Sequence, residues 1–125
     1  MARVVVVEQV FSPGMILYEM LLQDAGHQVT KARLIHSGRA EDISKRVREA
    51  DVVVLSTTSH VIPPERRQAF YEELRTYGKP IVVADTNFWE SPIAVTQGDI
   101  YLNTFNERNY VHDLLPEAVS SLVAR

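Results

Sequence analysis

Two runs of valine constrain this chain more than any other feature. Val4-Val5-Val6-Val7 and Val52-Val53-Val54-Leu55 are unbroken apolar stretches, mostly β-branched. Such side chains are crowded in a helix and fit well on a pleated strand. A strand with one wet face alternates apolar and polar residues. An unbroken run belongs to a strand covered on both faces, as in a parallel sheet between helix layers. Each run also ends abruptly, the first in Glu8-Gln9 and the second in Ser56-Thr57-Thr58-Ser59-His60. Polar groups just beyond the carboxyl ends of parallel strands are where open α/β sheets hold ligands. The stretch from Asp51 to His60 is therefore read both as the centre of the core and as the rim of any site.

Helical patterns alternate with further strand patterns along the rest of the chain. Ser12-Pro13-Gly14 opens a helix, serine suiting a cap and proline the first turn. Met15 to Leu22 is apolar around most of its surface, and Ala25-Gly26 ends it. His27 to Leu34 reads as a less buried strand, and Ala40 to Ala50 as a helix with Ile43, Val47 and Ala50 facing inward. A third helix starts at Pro63-Pro64-Glu65, buries Phe70, Leu74 and Tyr77, turns Arg66-Arg67 to solvent and stops at Gly78. Pro80 to Ala84 is the fourth strand, with Asp85-Thr86-Asn87 as its polar tip, and Asp99 to Leu102 is the fifth. The last helix lies between Asn109 and Ala124, with Pro116 at the start of its main body or at a kink.

The connections are too long for hairpins and fit right-handed crossovers. The expected fold is a three-layer α/β/α sandwich, residues 1–125 forming one domain around a five-stranded parallel sheet in the flavodoxin-like order 2-1-3-4-5. That order places the switch point between the first and third strands, and so brings Glu8 and Gln9 to the 56–60 segment.

Composition bears on function mainly by exclusion. With 46% apolar and 23% charged residues, the 125-residue chain is ordinary for a soluble domain. A net charge of −3 lacks the basic face of a nucleic-acid binder. The absence of cysteine removes disulfides, thiolate metal sites and a cysteine nucleophile. No apolar run approaches the ~20 residues of a bilayer-crossing helix. Met1-Ala2-Arg3 leads straight into the first valine run without a signal-peptide layout, so a cytoplasmic location is expected.

Ser59, His60 and Asp85 fall on one rim and invite comparison with a hydrolytic triad. The nucleophile elbow is missing, however, and adjacent residues on an extended segment point in opposite directions. A merely solvated polar rim is the simpler reading, and no catalytic residue is expected. The four histidines (His27, His36, His60 and His112) are scattered without metal-ligand spacing, so no metal site is expected. The loop from Glu8 to Gly14 holds one glycine and a proline without an amide proton. It matches neither a flavin phosphate loop nor a dinucleotide fingerprint, and no cofactor is expected. Trp89 and Phe88, with Tyr101, form either an aromatic platform for a sugar or base or a plug over the sheet's edge. A ligand-binding rim would consist of Glu8, Ser12, Thr57, Ser59, His60, Asp85, Asn87 and Trp89.

Taken in order, DAGHQVTKARL, READVVVLSTT, LRTYGKPIVVADTN and GDIYLNTF lead to an amphipathic terminal helix. This series resembles the C-terminal α/β-sandwich domain of glycoside hydrolase family 3, in particular its β-N-acetylglucosaminidase branch. Gly78-Lys79-Pro80-Ile81-Val82-Val83 and Asp99-Ile100-Tyr101-Leu102-Asn103-Thr104-Phe105 carry the match, which spans nearly the whole chain. The resemblance implies a domain that accompanies a catalytic (β/α)8 barrel bearing the aspartate nucleophile. In this branch the acid/base residues also lie on the barrel, so no catalytic residue carries over. In other branches an acid comes from the sandwich domain, but no motif matches Glu8 or Glu90 to it. The implied role is accessory to carbohydrate hydrolysis and non-catalytic alone, with a glycosidase barrel or a carbohydrate as partner. Two alternatives stand beside it: a free-standing flavodoxin-like module binding a small ligand at the rim, and a homo-oligomeric module built on the apolar first helix.

Overall fold

A computed structural model describes residues 2–9, 14–33, 40–58, 62–86, 92–103 and 111–124, with the side chains at 14–16, 33, 40–42 and 111–113 outside that description. Its strands are β1 (Arg3–Glu8), β2 (Gln28–Arg33), β3 (Val52–Thr58), β4 (Ile81–Thr86) and β5 (Ile100–Asn103). The helices are α1 (Gly14–Asp24), α2 (Ala40–Glu49), α3 (Pro64–Arg75) and α4 (Val111–Val123). All pairings are parallel and the order is β2-β1-β3-β4-β5, as expected. β4 runs past Ala84 because the ladder continues through Thr57 opposite Asp85 and Thr58 opposite Thr86. No helix among the described residues is long and apolar enough to cross a membrane.

The valine runs explain the three layers. Side chains alternate across a strand, so Val4, Val6, Val52, Val54 and Val82 pack on one face with Tyr18 and Leu22 of α1 and Leu115 and Val119 of α4. Val5, Val7, Val53, Leu55, Ile81 and Val83 pack on the other with Ile43 and Val47 of α2 and Phe70, Tyr71 and Leu74 of α3. Each such fully buried side chain contributes about 1.5–3 kcal/mol. A polar residue in the middle of either run would bury a group without a partner between the sheet and one helix layer.

Local signals set the helix ends. Gly26 takes φ 92°, open to glycine at no steric cost. Its N–H donates to the Gln23 carbonyl at 2.9 Å and the His27 N–H to the Leu22 carbonyl at 3.1 Å, the paired bonds that close a helix on a left-handed residue. At the start of α3, Pro63 is extended because a proline follows it. Its carbonyl accepts from the Arg66 and Arg67 N–H groups, both at 3.1 Å. Pro116 lies inside α4, which already runs from Val111, so the helix does not begin at it.

α3 departs from its sequence reading. The inward stripe is Arg67, Phe70, Tyr71 and Leu74, a regular three-and-four spacing. Arg67 is therefore buried rather than solvated, whereas Arg66 is exposed as expected. Tyr77, expected in the core, is half-buried beyond the helix end. Its hydroxyl lies 2.5 Å from Ser44 Oγ, and its ring sits under the Arg48 guanidinium at 5.8 Å.

His27 fastens the start of β1. Its Nδ1 accepts the Ala2 N–H at 3.2 Å, which places the ring proton on Nε2. That Nε2 is buried without a hydrogen-bond partner among the described residues. Burial lowers the imidazole pKa from 6.5, because the fold favours the neutral ring. The contribution to stability is full above 6.5 and is lost as pH falls from there through the lowered folded value. Thermal unfolding followed from pH 7 to pH 5 is expected to show a smaller loss for His27→Gln than for the unaltered chain. Equal losses would exclude His27 as a source of the pH dependence.

Candidate functional site

The buried polar and charged side chains among the described residues are Glu8, Gln9, Ser56, Thr57, Arg67 and Asp85. All lie at the carboxyl ends of β1, β3 and β4 or on α3 beside them. This is the switch point of the sheet, where β1 and β3 are neighbours and their crossovers leave in opposite directions.

Asp85 is the centre of this rim. It is the last buried residue of β4, and in that register its side chain points to the α3 face, like Ile81 and Val83. Arg67 Nη1 donates to Asp85 Oδ2 at 2.7 Å, and the Tyr101 hydroxyl donates to the same oxygen at 2.7 Å. Arg67 Nε donates to the Ile62 carbonyl at 3.3 Å. Both members of the ion pair are wholly buried. Burial pushes the Asp85 carboxyl above its ordinary 3.8, against the opposing pull of the Tyr101 hydroxyl and the Arg67 guanidinium. Desolvation outweighs pairing here, as it commonly does for buried ion pairs.

Gln9 knits the neighbouring part of the rim. Its N–H donates to the Ser56 carbonyl at 3.1 Å, its Oε1 accepts from Thr57 Oγ1 at 2.8 Å, and its Nε2 donates to the Arg66 carbonyl at 3.3 Å. One side chain thereby joins β1, β3 and α3. Thr58 Oγ1 reaches the Thr86 carbonyl at 3.1 Å and closes the rim between β3 and β4.

Three of the rim residues expected from the sequence are thus placed. Glu8, Thr57 and Asp85 lie along one margin of the sheet, but not on one side of it. Glu8 shares the parity of Val4 and Val6, facing the α1/α4 layer, whereas Thr57 and Asp85 face α3. They are also 1%, 3% and 0% exposed, so the solvated-rim reading is corrected at these positions. Ser12, Ser59, His60, Asn87 and Trp89 lie outside the described residues, as does Phe88. Tyr101 is half-buried, packs on the α2/α3-side core and spends its hydroxyl on Asp85, which fits a plug better than a platform. Gln9 sits at the switch point where the strand order places it, although the expected rim does not include it, and Arg67 is the residue that sequence reasoning missed. A signal for Arg67 existed, since it lies three and seven residues before Phe70 and Leu74.

A second polar cluster anchors the approach to β5. Asp99 Oδ2 accepts from the Tyr71 hydroxyl at 2.5 Å, and Oδ1 from the Ile81 N–H at 2.9 Å and Arg75 Nη1 at 3.2 Å. The Tyr71 oxygen in turn accepts the Thr96 N–H at 2.7 Å. Burial, reinforced by the Asp99 carboxylate, raises the Tyr71 hydroxyl above its ordinary 10.0. Gln68 pairs with both the N–H and the carbonyl of Ala94, at 2.8 and 2.9 Å. The segment before β5 is thereby strapped along α3. At the opposite end of the sheet from the rim, a cavity of about 200 Å³ opens between the starts of β1 and β2 and the last turns of α2.

Compared with protein-family models and with curated proteins, the chain gives no match.

Proposed function

We propose that this chain is a sandwich domain of the glycoside hydrolase family 3 type, from the β-N-acetylglucosaminidase branch. It is accessory to carbohydrate hydrolysis beside a catalytic barrel and non-catalytic alone. The observation that carries this reading is the disposition of the rim carboxylates. Glycosidic cleavage uses two carboxyl groups flanking one bond, about 5–10 Å apart. Here Glu8 and Asp85 project from opposite faces of the sheet, and Asp85 is locked to Arg67 and Tyr101. Further support comes from the two stretches that carry the resemblance. Ile81 of the first and Asp99 of the second are hydrogen-bonded, so they form one structural unit.

Incubating the chain with aryl β-N-acetylglucosaminides and aryl β-glucosides is expected to release aglycone no faster than buffer does. Turnover that Asp85→Asn or Glu8→Gln abolishes would overturn the reading.

The crowding of buried polar side chains at the switch point favours a second reading, a small-ligand module using the rim. Buried polar networks are costly unless fully satisfied, so their confinement to one margin fits a ligand there. A thermal-shift screen of nucleotides, flavins and sugars tests it, since a ligand at about 100 times its Kd adds about 2.7 kcal/mol. A flat screen would remove this reading and leave the first untouched.

A further inference from the structure

The geometry points to a second site, independent of the rim: the cavity at the amino-terminal end of the sheet binds a small zwitterion carrying a carboxylate and an ammonium group, of the α-amino-acid class. Arg3, Gln28, Thr30, Arg46 and Glu49 line it, over the apolar surface of Ala50. It opens to solvent, its polar lining residues all being exposed, and its volume of about 200 Å³ leaves room for a ligand of several heavy atoms.

The charges select the ligand. Arg46 Nη1 donates to the Lys31 carbonyl, which holds this guanidinium beside the edge strand β2. The Arg3 guanidinium and the Glu49 carboxylate make no hydrogen bond or ion pair among the described residues. Guanidinium groups suit a carboxylate, which accepts two parallel N–H bonds from one fork and a further bond from a second. A simple anion, however, would also meet Glu49 and the negative end of α2. A simple cation would meet both arginines. Only a ligand bearing both charges answers both halves of the lining. Gln28 and Thr30, two apart on β2 and so on one face, add an amide and a hydroxyl.

The test is an amide chemical-shift titration of the full chain with L-alanine, glycine, acetate and methylammonium at low ionic strength, where exposed charges are least screened. L-alanine is expected to give saturable shifts at Thr30 and Glu49, with acetate and methylammonium binding at least about tenfold more weakly. Arg3→Gln removes a group with no side-chain partner in the fold, and should weaken L-alanine by about tenfold without moving the melting temperature. Glu49→Gln should weaken L-alanine and strengthen acetate. The site is refuted by absence of shifts at these amides up to about 20 mM L-alanine, well above millimolar Kd. It is equally refuted if acetate binds as tightly as L-alanine, or if Glu49→Gln alters neither.

Discussion

Asp85→Ala is expected to cost about 3–5 kcal/mol, a large share of the roughly 5–15 kcal/mol that holds a domain of this kind together. The substitution leaves Arg67 wholly buried with its charge uncompensated, and removes the acceptor of the Tyr101 hydroxyl. Arginine cannot escape by deprotonating. Asp85 can escape by taking up a proton, and burial already moves its carboxyl in that direction. Arg67→Met should therefore cost less than Asp85→Ala, most visibly in acid. The double variant Arg67→Met/Asp85→Leu should recover the loss, and could exceed the parent by about 1–4 kcal/mol, because two desolvated charges are replaced by packed apolar groups.

The pH dependence has a definite sign. The fold favours the neutral carboxyl, so its contribution is full below 3.8 and is lost as pH rises through the raised folded value. Asp85→Asn, neutral throughout, flattens that part of the profile. Urea midpoints at constant slope measure all four variants. A loss below about 1 kcal/mol for Asp85→Ala would mean that water reaches the guanidinium.

Asp99→Ala is the next largest effect, at about 2–5 kcal/mol. Its side chain is 1% exposed and serves three donors. Arg75, 32% exposed on its side chain, can turn to solvent and contributes little to the loss. The Ile81 N–H and the Tyr71 hydroxyl belong to buried residues and cannot, and each buried donor left unpaired costs about 1–3 kcal/mol. Asp99→Asn keeps an acceptor for Ile81 and should lose less. Amide hydrogen exchange gives an independent reading. Ile81 and Thr96 should exchange faster in Asp99→Ala, while Val5 and Val53 in the centre of the sheet keep their relative protection. Unchanged exchange at Ile81 would show that the carboxylate is not its acceptor in solution.

Most of the fold was legible because it is written in local periodicity. Val4 to Val7 and Val52 to Leu55 could only be doubly buried strands, Ile43, Val47 and Ala50 mark one helix face, and Gly26 marks a helix end. The rim was legible as a place, since parallel strands bring Glu8, Ser56 and Asp85 to one margin. Its electrostatics were not. Arg67 reads as surface when charge is taken as a proxy for exposure, and the residue that overrules this, Asp85, is 18 positions away. Sequence did not reveal the amino-terminal cavity either, because Arg3, Thr30 and Glu49 become neighbours only where α2 crosses the starts of β1 and β2.

What the chain's residue order determined alone was which side chains leave water, and therefore the layers, the strand directions and the margin where polar tips meet. Tertiary structure alone decided which charges answer one another: Arg67 with Asp85, Asp99 with Ile81 and Tyr71, Arg46 with the edge of β2. The reason is physical. Burial follows a short repeat that any dozen residues display, whereas a hydrogen bond depends on ångström-scale distances that exist only once distant segments have docked.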